Sequence, residues 1–139
     1  EVFGEQLIMD GEDTIIGRLE TLLVTASALS VDDIPALARQ YGGTAFPAHI
    51  DRPSYSVTAA LGDIPPVGFT AAEITASGDT DALCQQYPLL SGLPLLQNSD
   101  AHYLHQIAEA GPWLELPDKR PETVIAALDG RLAFGWARA

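Results

Sequence analysis

Short apolar runs that alternate with amphipathic helical stretches place the strongest constraint on what this chain can fold into. Thr44-Ala45-Phe46-Pro47-Ala48, Ala71 to Thr75, Leu93 to Gln97 and Trp113 to Leu116 are each too short for a helix and read as buried strands. Between them lie stretches with helix signals. A helix is predicted to start between Ser30 and Asp33, ahead of Pro35, with Ile34, Leu37, Ala38 and Tyr41 on its inner face and Gly42-Gly43 as its stop. Ser54 or Ser56 caps a short helix through Leu61, and Pro65-Pro66 marks a loop over residues 62–68. Further helices are expected over about Asp79 to Tyr87, Tyr103 to Ala110, and from Pro121 to a stop at Gly130. Residues 1–13 form a polar entry, after which Ile15, Ile16, Leu19, Leu22, Leu23 and Ala26 follow helical spacing from Thr14. Arg131 to Trp136 reads as a weak final strand. Alternating helices and strands predict an α/β fold with mainly parallel strands, in one domain over residues 1–139.

The 139 residues suffice for one compact domain, and 47% apolar content allows a real core. Seven basic against 19 acidic residues give a net charge of −12, which repels nucleic acid rather than attracting it non-specifically. No apolar run approaches the roughly 20 residues of a membrane span, and Glu1-Val2-Phe3-Gly4 is not the basic start of a signal peptide. The only methionine is Met9, so the chain reads as a cleaved product or a piece of a longer protein. Cys84, the only cysteine, cannot form an intrachain disulfide; without basic neighbours it reads as a structural residue on a helix facing the core. The default compartment is cytoplasmic.

Ligand sites in parallel α/β sheets lie beyond the carboxyl ends of the strands. Two polar clusters fall at such predicted ends: His49-Ile50-Asp51-Arg52 and Ser99-Asp100-Ala101-His102. A one-residue gap in extended backbone points two side chains the same way, so Asp100 with His102, and His49 with Asp51, can each face one cation. Imidazole and carboxylate suit zinc, iron and manganese. Taken singly, His49 reads more simply as a hydrogen-bonded structural histidine and Asp100 as a helix cap; two clusters at two strand ends favour the metal reading.

Phe46-Pro47-Ala48-His49-Ile50-Asp51-Arg52-Pro53-Ser54 resembles the third motif of PHP (polymerase and histidinol phosphatase) domains, and Asn98-Ser99-Asp100-Ala101-His102 resembles the fourth. The two occur in the family's order, about 50 residues apart, and Phe3-Gly4-Glu5-Gln6 is similar to a connecting segment of one subgroup. The resemblance implies the C-terminal portion of a distorted (βα)7 barrel with its site at the strand C-termini. It implies two or three divalent metals, such as zinc, manganese or iron, and hydrolysis of phosphate esters. By motif His49, Asp100 and His102 correspond to metal ligands. Asp51 and Arg52 belong to a subgroup pattern and are the candidate catalytic residues: Arg52, the basic residue beside a predicted ligand, contacts a phosphate oxygen or forms a surface salt bridge, and Asp51 binds metal or orients a histidine. Glu73, near a strand end, faces the site or lies at the core edge or in solvent, and His105 reads as solvent-facing. The family's N-terminal His-x-His pair, further histidines and ligand glutamate have no counterpart, since the only histidines are His49, His102 and His105. The chain thus corresponds to about the latter half of the domain. The expected partners are a small phosphate ester or nucleotide, and either a second copy or the missing N-terminal half, with no membrane. A non-catalytic binding or scaffolding module with a partial metal site is the alternative.

Overall fold

The computed structural model describes residues 4–107 and 111–137, in two units, residues 1–30 and 31–139. Among the described residues it is mixed α/β, with three two-stranded sheets of which one is parallel.

In the first unit, β1 (Leu7–Met9) pairs antiparallel with β2 (Ile15–Arg18). The sequence predicts a helix from Thr14, and the structure places a hairpin and an irregular loop there instead. Two local causes are visible. The Asp10 carboxylate accepts from the amides of Glu12 and Thr14, at 3.0 and 2.9 Å, and closes a turn. Those backbone bonds, led by Thr14, hold the Asp10 carboxyl below its usual range. Gln6 then competes with any helix downstream. Its amide nitrogen donates to the carbonyls of Leu19 and Thr21, and its amide oxygen accepts from Leu23 N–H at 2.7 Å. These are backbone groups that a helix would have to use itself. Residues Leu7, Ile8, Met9, Ile15 and Ile16 are all exposed, so the apolar spacing finds no core to face within the unit.

The second unit is built on β3 (Ala72–Ile74) and β4 (Leu95–Gln97), which pair in parallel. Ala72, Ile74 and Leu95 are almost completely buried, as Val/Ile/Leu-rich parallel strands must be. Ile50, Ile64, Phe69, Leu83, Tyr87 and Leu90 complete the core. The predicted strand at Thr44 to Ala48 is not regular strand. It still runs beside β3: Glu73 N–H donates to Pro47 O and Ile50 N–H to Glu73 O, both at 2.9 Å. A regular parallel bridge to one residue spans two positions; this one spans three. Pro47, without an N–H, and His49, at φ +32°, break the ladder locally.

Four helices match the sequence signals. In α1 (Ile34–Gln40) Pro35 is buried in the first turn, while Tyr41 is 81% exposed rather than on the inner face. The hydroxyl of Ser56 caps α2 (Val57–Leu61) by accepting from Ala59 N–H, and Gly62, at φ +80°, ends it. The Asp79 carboxylate caps α3 (Thr80–Gln86), which leaves Leu83 buried and Cys84 partly buried against the core. A 3-10 turn, Pro88–Leu90, follows. The predicted helix after Tyr103 is only a 3-10 turn, Leu104–Gln106, and residues 108–110 of that expectation lie outside the described residues. The last segments form β5 (Trp113–Glu115), α4 (Pro121–Leu128) and β6 (Gly135–Ala137). Here β5 pairs antiparallel with β6, so among the described residues parallel pairing is confined to β3 and β4. Trp113, in a run read as a buried strand, is exposed, and the side chain of Trp136 lies outside the described part. Among the described residues no helix is long and apolar enough to cross a membrane.

Two measurements probe these local determinants. Gln6→Ala should cost about 1 kcal/mol of local stability, read as faster exchange of the Leu23 amide, with the second unit unaffected. The Asp118 carboxylate accepts from the side chain and amide of Arg120 and from the Thr123 hydroxyl, beside the start of α4. The Arg120 hydrogen bond is the main reason its pKa falls from 3.8 to about 2. A depressed carboxyl stabilises the fold fully above its unfolded pKa and loses that effect as pH falls through the folded value. Thermal melts of the parent should therefore drop between pH 4 and 2 more steeply than those of Asp118→Asn.

Candidate functional site

Parallel pairing makes β3 and β4 end on the same side, and the chain leaves both ends through polar loops. Thr75, Ala76 and Ser77 follow β3; Asn98, Ser99 and Asp100 follow β4. With His49, Arg52, Glu73, His102 and Gln106 they line one cleft of about 400 Å³. The two clusters singled out in the sequence, about 50 residues apart, thus meet beyond the carboxyl ends of a parallel pair, where such sites form. They meet directly as well: Arg52 Nη1 donates to Asp100 Oδ2 at 2.7 Å.

Each cluster is held by specific bonds. Asp51 does not line this cleft. Its carboxylate accepts from Thr75 N–H at 2.8 Å and Thr75 Oγ1 at 2.5 Å, which ties the 49–52 loop to the end of β3. That approach explains Gly78, whose place would put a Cβ 2.9 Å from Asp51 Oδ2. Arg52 N–H donates to His49 O, and Arg52 O accepts from the Ser56 hydroxyl at 2.8 Å, so the Arg52 backbone is fixed. On the other side, Gln106 Oε1 accepts from the amides of His102 and Tyr103, at 2.8 and 3.0 Å. Gln97 donates to the carbonyls of Thr75 and Ala76, joining the two loops at their base.

Four non-glycine residues among those described have positive φ, and two of them are candidate ligands, His49 at +32° and Asp100 at +48°. Such backbone is uncommon and gathers at functional sites. His102 Nδ1 lies 2.8 Å from the Asp100 carbonyl oxygen. A carbonyl can only accept, so the neutral ring carries its proton on Nδ1 and its lone pair on Nε2, the form that binds a cation or accepts a proton. His49 Nδ1 is buried with no hydrogen-bond partner, an arrangement that costs stability unless something else satisfies it. These donors have the chemistry of a divalent-cation site. Their placement is incomplete: among the described residues no group of three or more His, Cys, Asp or Glu side chains could hold an ion, and the Asp100 carboxylate is engaged by Arg52.

Glu73, whose place the sequence left open, lines the cleft; His105 is exposed and stacks on Tyr103 with ring centroids 5.7 Å apart. Thr75, Gln97 and Gln106 were missed. Gln97 and Gln106 bond to backbone groups and Thr75 to the Asp51 carboxylate, and only the tertiary arrangement gives them a role. No protein-family model matches the chain, and no curated protein or solved structure matches it significantly.

Asp51→Ala leaves the half-buried Thr75 amide without its acceptor and its hydroxyl with only Ser77 Oγ, at 3.3 Å. It should cost about 1–3 kcal/mol in denaturant melts, and Asp51→Asn, which keeps one acceptor, clearly less.

Proposed function

We propose that this chain is the latter part of a PHP-type domain, a portion of a distorted (βα)7 barrel, whose complete form hydrolyses phosphate esters with divalent metal. The meeting of both motif clusters in one cleft at parallel strand ends carries this reading. In it, His49, Asp100 and His102 contribute to holding zinc, manganese or iron, and other ligands come from sequence outside this chain. The bound cations supply a Lewis acid for the phosphate oxygens and an activated water. The chain's own residues position and bind. Asp51 and Thr75 fix the loop that carries His49 and Arg52. Arg52 supplies a planar donor set for a phosphate oxygen, and no other Lys or Arg lines the cleft among the described residues. In a protein of net charge −12, such positive charge is what lets a phosphate approach. His102, fixed in tautomer by the Asp100 carbonyl, presents Nε2.

A second reading, a non-catalytic binding module with a partial metal site, is favoured by the incomplete ligand set. The two differ in what purified protein carries: stoichiometric zinc, manganese or iron in elemental analysis fits the enzyme, none fits the module. The direct test is release of phosphate from a panel of phosphomonoesters by the intact protein with manganese or zinc. His102→Ala should lower kcat/KM by about 100-fold or more; a His102→Ala protein as active as the parent would end the proposal.

A further inference from the structure

We infer that the apolar pocket beside the cleft is the subsite for the organic group of the phosphate ester, and that this group is an uncharged, apolar ring about the size of benzene. The inference rests on the reading above for the phosphate at Arg52 and adds to it the class of ester. It needs no cation to hold that phosphate, because Arg52 reaches Asp100 through Nη1 and keeps its other guanidinium N–H groups.

The pocket is walled by separate elements. Phe46 comes from the segment beside β3, Leu96 from β4, Trp113 and Leu114 from β5, and Leu128 from the end of α4. It encloses about 160 Å³, and an apolar cavity of about 150 Å³ accepts a benzene molecule. No Asp, Glu, Lys, Arg or His among the described residues lines it. Gln97, at its edge, gives its amide nitrogen to the carbonyls of Thr75 and Ala76. A sugar or a charged group entering there would lose water without gaining partners, so the walls select against both.

Position ties the pocket to the cleft. Glu73 lines the cleft and Leu96 the pocket, and the two are register partners in the parallel pair. Their side chains therefore leave the sheet on one face, from strands about 5 Å apart. Ala72, Ile74 and Leu95 fill the core from the other face. Asn98, two residues after Leu96, lines both hollows. An ester whose phosphate takes Arg52 thus lays its organic group past Asn98 into the pocket. Trp113 is 55% exposed, so the pocket stays open on that side and a ring is only partly buried. Partial burial of a ring is worth about tenfold in affinity.

Phosphonates test this on the intact protein as purified, because their C–P bond resists hydrolysis. The probes are methylphosphonate and phenylphosphonate, with affinities from phosphorus NMR titrations. Phenylphosphonate should bind about tenfold more tightly. Trp113→Ala, at an exposed position, removes one wall, and Leu114→Phe fills the pocket. Each should bring the ratio below about threefold by weakening phenylphosphonate alone. Equal affinities in the parent, a ratio that either folded variant leaves unchanged, or no binding of either probe would overturn the inference. Its failure is distinct from failure of the enzymatic reading. Metal-dependent hydrolysis without a preference for the ring sinks the subsite alone, and a ring preference lost in the variants, without hydrolysis, sinks the enzyme alone.

Discussion

Parallel pairing of β3 with β4 is the constraint on which the rest of the second unit depends. Two strands that run the same way release their chains at the same end, so two loops far apart in sequence are forced to be neighbours. The register, Ala72 opposite Leu95 and Ile74 opposite Gln97, brings the Thr75 and Asn98 positions level with each other. The segment that carries His49 joins them through two backbone bonds to Glu73. Burial of Ala72, Ile74, Leu95 and Ile50 then makes this arrangement stable, because shifting any strand by one residue would turn apolar side chains out of the core.

The cleft gathers features that work against stability. Two of its candidate donors sit in left-handed backbone, one imidazole nitrogen is buried without a partner, and Arg52 and Asp100 meet with over one-third of each side chain exposed. None of these is needed to fill a core. Polar side chains held this firmly, by Asp51, Gln97 and Gln106, make a preorganised surface, and preorganisation is what a site for charged ligands requires.

The first unit shows how far periodicity can mislead. Ile15, Ile16, Leu19, Leu22 and Leu23 satisfy a helical template, yet β-branched Thr14, Ile15 and Ile16 favour strand, and the Asp10 turn closes a hairpin before them. Gln6, a residue with no evident signal, captures the backbone groups of the loop that follows. The antiparallel β5–β6 pair was illegible for a related reason: strand direction depends on the path of the connection, and alternation of helices and strands does not fix it.

The amino-acid sequence by itself determined the local elements whose causes are local. A serine cap at Ser54 or Ser56, a helix start near Asp79, Pro35 and Pro121 in first turns, the apolar runs of β3 and β4, and the chemistry of His49, Arg52, Asp100 and His102 all follow from side-chain properties within a few residues. Only the tertiary structure decided which groups meet. That Arg52 bonds to Asp100, that Asp51 spends its carboxylate on Thr75, and that His102 is fixed by a neighbouring carbonyl depend on strand register and loop closure. Those are set by how the whole core packs, and no short window of sequence contains that information.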